Sequence, residues 1–238
     1  MENFRKVFFS ALMALLVMPS MVKAQDEKAD SHFSAGVDLY SNYIWRGSKF
    51  GLGPSVQPSV TFAAGNLEIG TWGAFNGMSY LASDTTGFTP ADYAEADLYI
   101  SYSFPFGLSL GITDYYYPGL EYFDYSAESG AHAYEINAGY SIKGLILAAN
   151  YIVNEAGGAA SVGGDKYFEL GYEFKNVRLF VGGGDGWHTS DGEFAVCNVG
   201  IATAKVIKVT DSFIIPVSGA VILNPDKEQF YVVAGVSF

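Results

Sequence analysis

Between residues 33 and 238 one pattern recurs twelve times: a stretch of mostly about ten residues in which apolar and polar side chains alternate. A period of two sends successive side chains to opposite faces of a β-strand, so each stretch presents one apolar and one polar face. From Phe33 to Arg46 the odd positions carry Phe33, Ala35, Val37, Leu39, Tyr43 and Trp45, and the even ones include Ser34, Asp38, Asn42 and Arg46. In 93–104, Ala94, Ala96, Leu98, Ile100, Tyr102 and Phe104 oppose Tyr93, Glu95, Asp97, Tyr99, Ser101 and Ser103. The remaining strands are expected near 56–64, 67–76, 108–117, 132–142, 145–154, 167–174, 177–185, 194–205, 212–223 and 228–238. A tilted strand of about 9–11 residues is what a bilayer crossing requires. The expected fold class is therefore all-β, a transmembrane antiparallel up-and-down β-barrel of about twelve strands.

The connections alternate as well. Gly65-Asn66, Pro105-Phe106-Gly107, Lys143-Gly144 and Lys175-Asn176 have the composition of tight hairpin turns. Longer polar stretches at 47–55, 77–92, 118–131, 155–166 and 186–193 fall between them. Short turns on one side and long loops on the other are the asymmetry of outer-membrane barrels. Two places break the pattern: the short connection Asn224 to Lys227 falls on the long-loop side, and Pro216 interrupts the eleventh strand. The last strand, QFYVVAGVSF, carries Phe230, Val232, Ala234, Val236 and Phe238 on one face. Its alternation and terminal Phe resemble the signal by which the barrel-assembly machinery recognises its substrates, with Phe230 and Phe238 as the residues read.

Residues 1–24 have Arg5 and Lys6 at the start, an apolar run from Val7 to Val17, Pro19, and Val22-Lys23-Ala24 before an expected cleavage point. This is the pattern of a secretory signal peptide. The expected organisation is a signal peptide at 1–24, a short polar lead at 25–31 and a barrel over 32–238. Localisation is then the outer membrane of a Gram-negative bacterium, with outer-membrane lipid as surroundings. Removing Glu2, Arg5, Lys6 and Lys23 leaves 10 basic and 24 acidic residues, a net charge of −14. An acidic chain cannot neutralise phosphates, so nucleic acid is excluded as a partner. A lone cysteine, Cys197, excludes a disulfide framework and Cys-rich metal centres. No cofactor is implied.

The order Tyr40-Ser41-Asn42-Tyr43-Ile44-Trp45-Arg46-Gly47, Pro54-Ser55-Val56-Gln57-Pro58, Gly70-Thr71-Trp72-Gly73, Tyr115-Tyr116-Tyr117-Pro118-Gly119 and Tyr167-Phe168-Glu169-Leu170-Gly171-Tyr172 resembles the TorF family of porin-like outer-membrane barrels of unknown function. The resemblance spans most of the chain after the leader and is strongest over 40–120. It implies a porin-type barrel and supplies neither a substrate nor catalytic residues.

Read from the alternation, the inward face carries Asp38, Glu68, Glu95, Asp97, Glu135, Glu169 and Glu173 against Arg46 and Arg178. Such an excess makes a lumen negative, drawing cations and repelling anions. Inward Trp72, Tyr93 and Tyr99 are expected to constrict it. Passive diffusion of small hydrophilic, cation-preferring solutes is the expected function, and no catalytic or metal-binding residue is assigned. Glu173 and Arg178 flank one turn on the same face and are expected to form a cross-strand ion pair. Aromatics near strand ends, among them Tyr43, Trp45 and Tyr115 to Tyr117, are expected as interfacial girdles. Two alternatives remain open. In one, His132 lies on the apolar face near the outer end of its strand, a placement similar to that of the catalytic His of outer-membrane phospholipases, and serves a lipid-modifying hydrolase as base. In the other, the carboxylates pair with lumen side chains, the barrel is filled, and its extracellular loops bind a ligand or partner.

Overall fold

A computed structural model describes residues 31–76, 93–211 and 213–238. The expected signal peptide, most of the polar lead and the loop 77–92 lie outside the described residues. Twelve antiparallel strands close on themselves: β1 Ser31–Tyr40, β2 Ser55–Ala64, β3 Leu67–Asn76, β4 Ala94–Ser103, β5 Leu108–Tyr116, β6 His132–Ile142, β7 Leu145–Ile152, β8 Lys166–Phe174, β9 Val177–Gly184, β10 Ala195–Lys208, β11 Ile214–Asn224 and β12 Gln229–Ser237. Each pairs with its neighbours in sequence. Closure joins β1 to β12 through Asp38↔Ser237, Leu39↔Val236 and Tyr40↔Gly235. Val37 and Phe238 exchange backbone hydrogen bonds of 3.1 and 3.0 Å at the seam. All twelve expected strands are present, and the barrel begins one residue earlier than expected, at Ser31.

Alternation gives each strand two faces, and burial in the closed barrel shows which one points outward. Leu98, Ile112, Ile136, Leu170 and Val232 point outward and are exposed, while Asp38, Gln57, Asn137 and Asn198 point inward and are buried. A soluble barrel keeps its apolar side chains inside. Here the apolar belt is outside and the polar groups are inside, the polarity of a barrel solvated by acyl chains. Phe230 and Phe238 stand on this outward belt.

Tight turns form where residues tolerate positive φ. Lys143 (φ 50°) and Gly144 (φ 90°) close β6 onto β7, and Lys175 (φ 58°) closes β8 onto β9. The β10–β11 hairpin departs from expectation. β10 runs on to Lys208, and its pairing with β9 stops at Thr203↔Val177. The ribbon beyond that point is two-stranded, with Val206 opposite Pro216. β11 pairs with β12 only as far as Val217↔Val236. Pro216 thus sits past the last ladder bond on its outer edge, where a missing N–H costs nothing.

Small residues line the half of the lumen nearer the short turns: Gly36, Gly70, Gly111, Gly139, Ala202 and Ser218 face inward and are half-buried. Rings lie flat over several inward glycines. A Cβ on Gly235 would come 2.3 Å from the Tyr40 ring, and one on Gly200 would come 2.3 Å from the Phe180 ring. Both rings are buried and pack with Ile222 and Val233 as an apolar cluster inside the barrel.

Candidate functional site

The site is the other half of the lumen, on the side of the long loops. The expected continuous strand 33–46 ends at Tyr40. Ser41 accepts a hydrogen bond from the Ala234 N–H at its side-chain oxygen, 3.0 Å away, and the chain bends. Tyr43–Trp45 then pairs with Ser48–Phe50 as a small hairpin that leaves the wall and enters the barrel. Tyr43 and Ile44 are each 2 % exposed, so Tyr43 and Trp45 belong to the lumen and not to an interfacial girdle. The same correction holds for Tyr115, which is buried on the inward face.

Arg46 (φ 47°) and Gly47 (φ 81°) make the hairpin tip. A Cβ at Gly47 would lie 1.9 Å from the Cys197 carbonyl oxygen, so only glycine lets the tip reach the β10 wall. The Asn224 side-chain amide donates to the Gly47 carbonyl at 2.9 Å, and Lys227 Nζ donates to Ser48 Oγ at 2.9 Å. The short connection after β11 thus serves as a clamp for the hairpin.

From that tip Arg46 spans the bore to β6. Its guanidinium donates to both oxygens of Glu135, at 2.6 and 2.8 Å. Glu135 also accepts from the Tyr115 hydroxyl at 3.0 Å and from Asn137 at 2.5 Å, and Asn137 donates onward to Asn150 at 3.0 Å. The guanidinium lies 4.5 Å from the Trp45 ring and 4.6 Å from the Tyr167 ring. A planar, weakly hydrated cation between two rings and a bidentate carboxylate is the arrangement for which Arg is suited.

A second polar knot lies beside the first. The Tyr167 hydroxyl donates to Glu169 at 2.8 Å and accepts from Asn198 at 2.8 Å. Arg178 completes it with an ion pair to Glu169. This corrects the expected Glu173–Arg178 pair. The two residues are register partners, yet the side chain of Arg178 runs past Gly171, where a Cβ would meet its Nε at 3.4 Å. It thereby reaches Glu169, which is buried and already held by two polar partners.

Trp72, Tyr93 and Tyr99 do not form one constriction. Trp72 packs on Tyr43 at 5.5 Å, and Tyr93 packs on Phe50 at 5.0 Å while donating to Glu95 at 2.7 Å. Tyr99 hydrogen bonds Thr61 at 2.8 Å and lies over Gly70. Asp97 faces Trp72 across the β3–β4 ladder. Asp38 is buried opposite Gln57 and Ser237. Glu68 lies apart, near the short-turn rim, opposite Ala63 and Ser101.

The loops close over this assembly. A 3-10 turn at Gly186–His188 brings in Trp187, 6.1 Å from Trp45, and His188, 5.2 Å from Trp45 and 5.1 Å from Tyr167. Trp187 Nε1 donates to the Ala160 carbonyl at 2.6 Å. Burial, with Arg46 and Lys227 adding positive potential, holds the His188 imidazole well below the usual histidine range.

His132 faces outward at the long-loop rim, as expected, but a loop covers it. Its Nδ1 is 2.9 Å from Asp114 Oδ1, its Nε2 is 2.6 Å from the Tyr122 carbonyl oxygen, and Tyr116 and Tyr125 stack on the ring. The place a nucleophile would occupy beside Nε2 is filled by that carbonyl.

Sequence reasoning missed the inward hairpin, Tyr167 and the loop residues Trp187 and His188. One signal was available. Arg46-Gly47 interrupts an alternation whose aromatic residues, at 43, 45 and 50, outnumber what a strand end needs.

The sequence matches, over residues 24–208, a family described as "Bacterial protein of unknown function (Gcw_chp)". A comparison with curated proteins finds no match. Among solved structures, outer membrane phospholipase A from Escherichia coli aligns with a TM-score of 0.41 at 9 % identity, covering 85 % of this chain and 90 % of that one. The Salmonella typhi phospholipase dimer with bound calcium aligns at 0.40 and 11 %, covering 85 % and 88 %. A mutant Rh. blastica porin aligns at 0.37 and 15 %, covering 77 % of this chain, which spans only 55 % of the porin's length. At these scores none of the three bears on what the chain does. The extent of the sequence match does settle kinship: the chain belongs to the Gcw_chp family of bacterial proteins of unknown function.

Proposed function

We propose that this chain is a gated outer-membrane porin of a Gram-negative bacterium, passing small hydrophilic solutes with a preference for cations and closed at the long-loop side by its own hairpin. The observation that carries the reading is the charge left inside the barrel. Of seven inward carboxylates, Glu135 and Glu169 are paired with the two inward arginines, while Asp38, Glu68, Glu95, Asp97 and Glu173 have no ion-pair partner among the described residues. Glu68 and Glu173 are only half-buried on the lumen wall, and carboxylates so placed hold a negative potential that concentrates cations. The half of the bore lined by small residues supports a solute path, and the resemblance to TorF-type porins agrees with it. The barrel-assembly machinery would read the last strand, through Phe230 and Phe238.

Planar-bilayer recording of the purified barrel tests this. Cation-selective steps are expected, and their reversal potential should move toward zero when Glu68 is replaced by Lys. Conductance that prefers anions would refute the cation reading. A barrel that stays silent even with its hairpin released would refute the channel. The interlocked polar knots favour one second reading, a permanently filled barrel that works through its loops. Absence of solute flux in liposome swelling together with a specific surface partner would select it.

A further inference from the structure

Glu95 and Asp97 lie two residues apart on the inward face of β4, exposed by 2 % and 6 %. No ion pair reaches either one among the described residues, because the Arg46 guanidinium is spent on Glu135. The adjoining segment 77–92, GMSYLASDTTGFTPAD, contains no Lys, Arg or His that could supply one. Burying carboxylates without a cation is costly. Around them stands a box of rings: Tyr43 lies 5.5 Å from Trp72 and 5.8 Å from Tyr93, and Tyr93 lies 6.1 Å from Tyr117.

A separate observation concerns hydrogen bonding. Among the described residues, three buried polar atoms on this patch of wall have no partner: the Trp72 indole N–H, Gln57 Oε1 and Asp97 Oδ1. Trp72 is the register partner of Asp97 and also of Ser59, two residues along β2 from Gln57. The patch therefore offers two free acceptors, one free donor, two carboxylates and several ring faces.

We propose that this patch is a binding site for a small organic ammonium ion carrying a neighbouring hydroxyl, of the ethanolamine type. The ammonium would donate to Asp97 and Gln57 and sit against the rings of Trp72 and Tyr43. Its hydroxyl oxygen would accept from the Trp72 indole. The inference deepens the cation-preferring porin reading by naming a substrate class, yet binding and conductance can be measured separately.

The test is intrinsic fluorescence of the detergent-solubilised full barrel titrated with ethanolamine hydrochloride against sodium chloride of equal ionic strength. All three tryptophans, Trp45, Trp72 and Trp187, lie in the half of the lumen that holds the site. A saturable change with ethanolamine and none with sodium chloride is expected. Asp97→Asn should weaken it at least tenfold, and Trp72→Phe should remove most of the signal. Retention of compact mobility in unheated gels shows that each variant is folded. If Asp97→Asn fails that check, Glu95→Gln is read by calorimetric titration instead. No saturable change, or wild-type affinity in a folded carboxylate variant, overturns the proposal. Conductance without binding would sink the site and leave the channel, whereas binding without conductance would do the reverse.

Discussion

Replacing Arg46 by Ala should open the barrel. The guanidinium joins the hairpin tip to the far wall through two hydrogen bonds to Glu135, and it is sandwiched between Trp45 and Tyr167. Removing it leaves Glu135 as a buried carboxylate that retains only neutral partners, Tyr115 and Asn137. Breaking a buried pair from one side costs about 3–5 kcal/mol. The cost falls on the plugged form, because in the unplugged form water reaches Glu135. At about 1.4 kcal/mol per tenfold, the ratio of plugged to unplugged barrels falls roughly a hundredfold to a few thousandfold. Single-channel recording reads that ratio as open probability. A double replacement, Arg46→Met with Glu135→Leu, removes both charges and leaves no orphan, so it should stay nearer the wild type. If folded Arg46→Ala barrels open no more often than wild type, the salt bridge is not the latch.

Gly47→Ala places a methyl group where the Cys197 carbonyl stands and forces an L side chain into φ 81°. It should loosen the hairpin without unfolding the barrel, seen as raised open probability and faster proteolysis near Arg46. His188 is neutral when folded and titrates normally, near 6.5, when unfolded. The unfolded state therefore takes up the extra proton, and stability present above about pH 6.5 is lost as pH falls below it, by at most about 1.4 kcal/mol per pH unit. Thermal unfolding between pH 7.5 and 5 should show this slope in wild type and a shallower one in His188→Gln, and equal slopes would refute it. Gly200→Leu drives a side chain into the Phe180 ring, so its compact gel mobility should be lost at a lower temperature than that of wild type.

The twelve strands, their two faces and most turns were legible because they follow from the period-two pattern and local turn chemistry. Both are properties of neighbouring residues. The placement of Asp38, Glu95, Asp97, Glu135 and Glu169 on the polar faces could be read for the same reason. Which carboxylate each arginine meets could not, as Arg178 shows: it passes its register partner Glu173 to reach Glu169, because Gly171 clears the way and Tyr167 and Asn198 have already ordered the far carboxylate.

The sequence by itself determined twelve strands, each with one apolar face and one polar, acid-rich face, since a period of two is a property of neighbouring residues; which face points outward was settled by burial in the closed barrel. Tertiary structure decided that the hairpin carrying Arg46 turns into the bore. Arg46 and Glu135 are 89 residues apart, and the hairpin that joins them lies close against Cys197 and is held by Asn224 and Lys227, all near the other end of the chain. Closing the barrel is what brings those groups within bonding distance, and no local pattern records it.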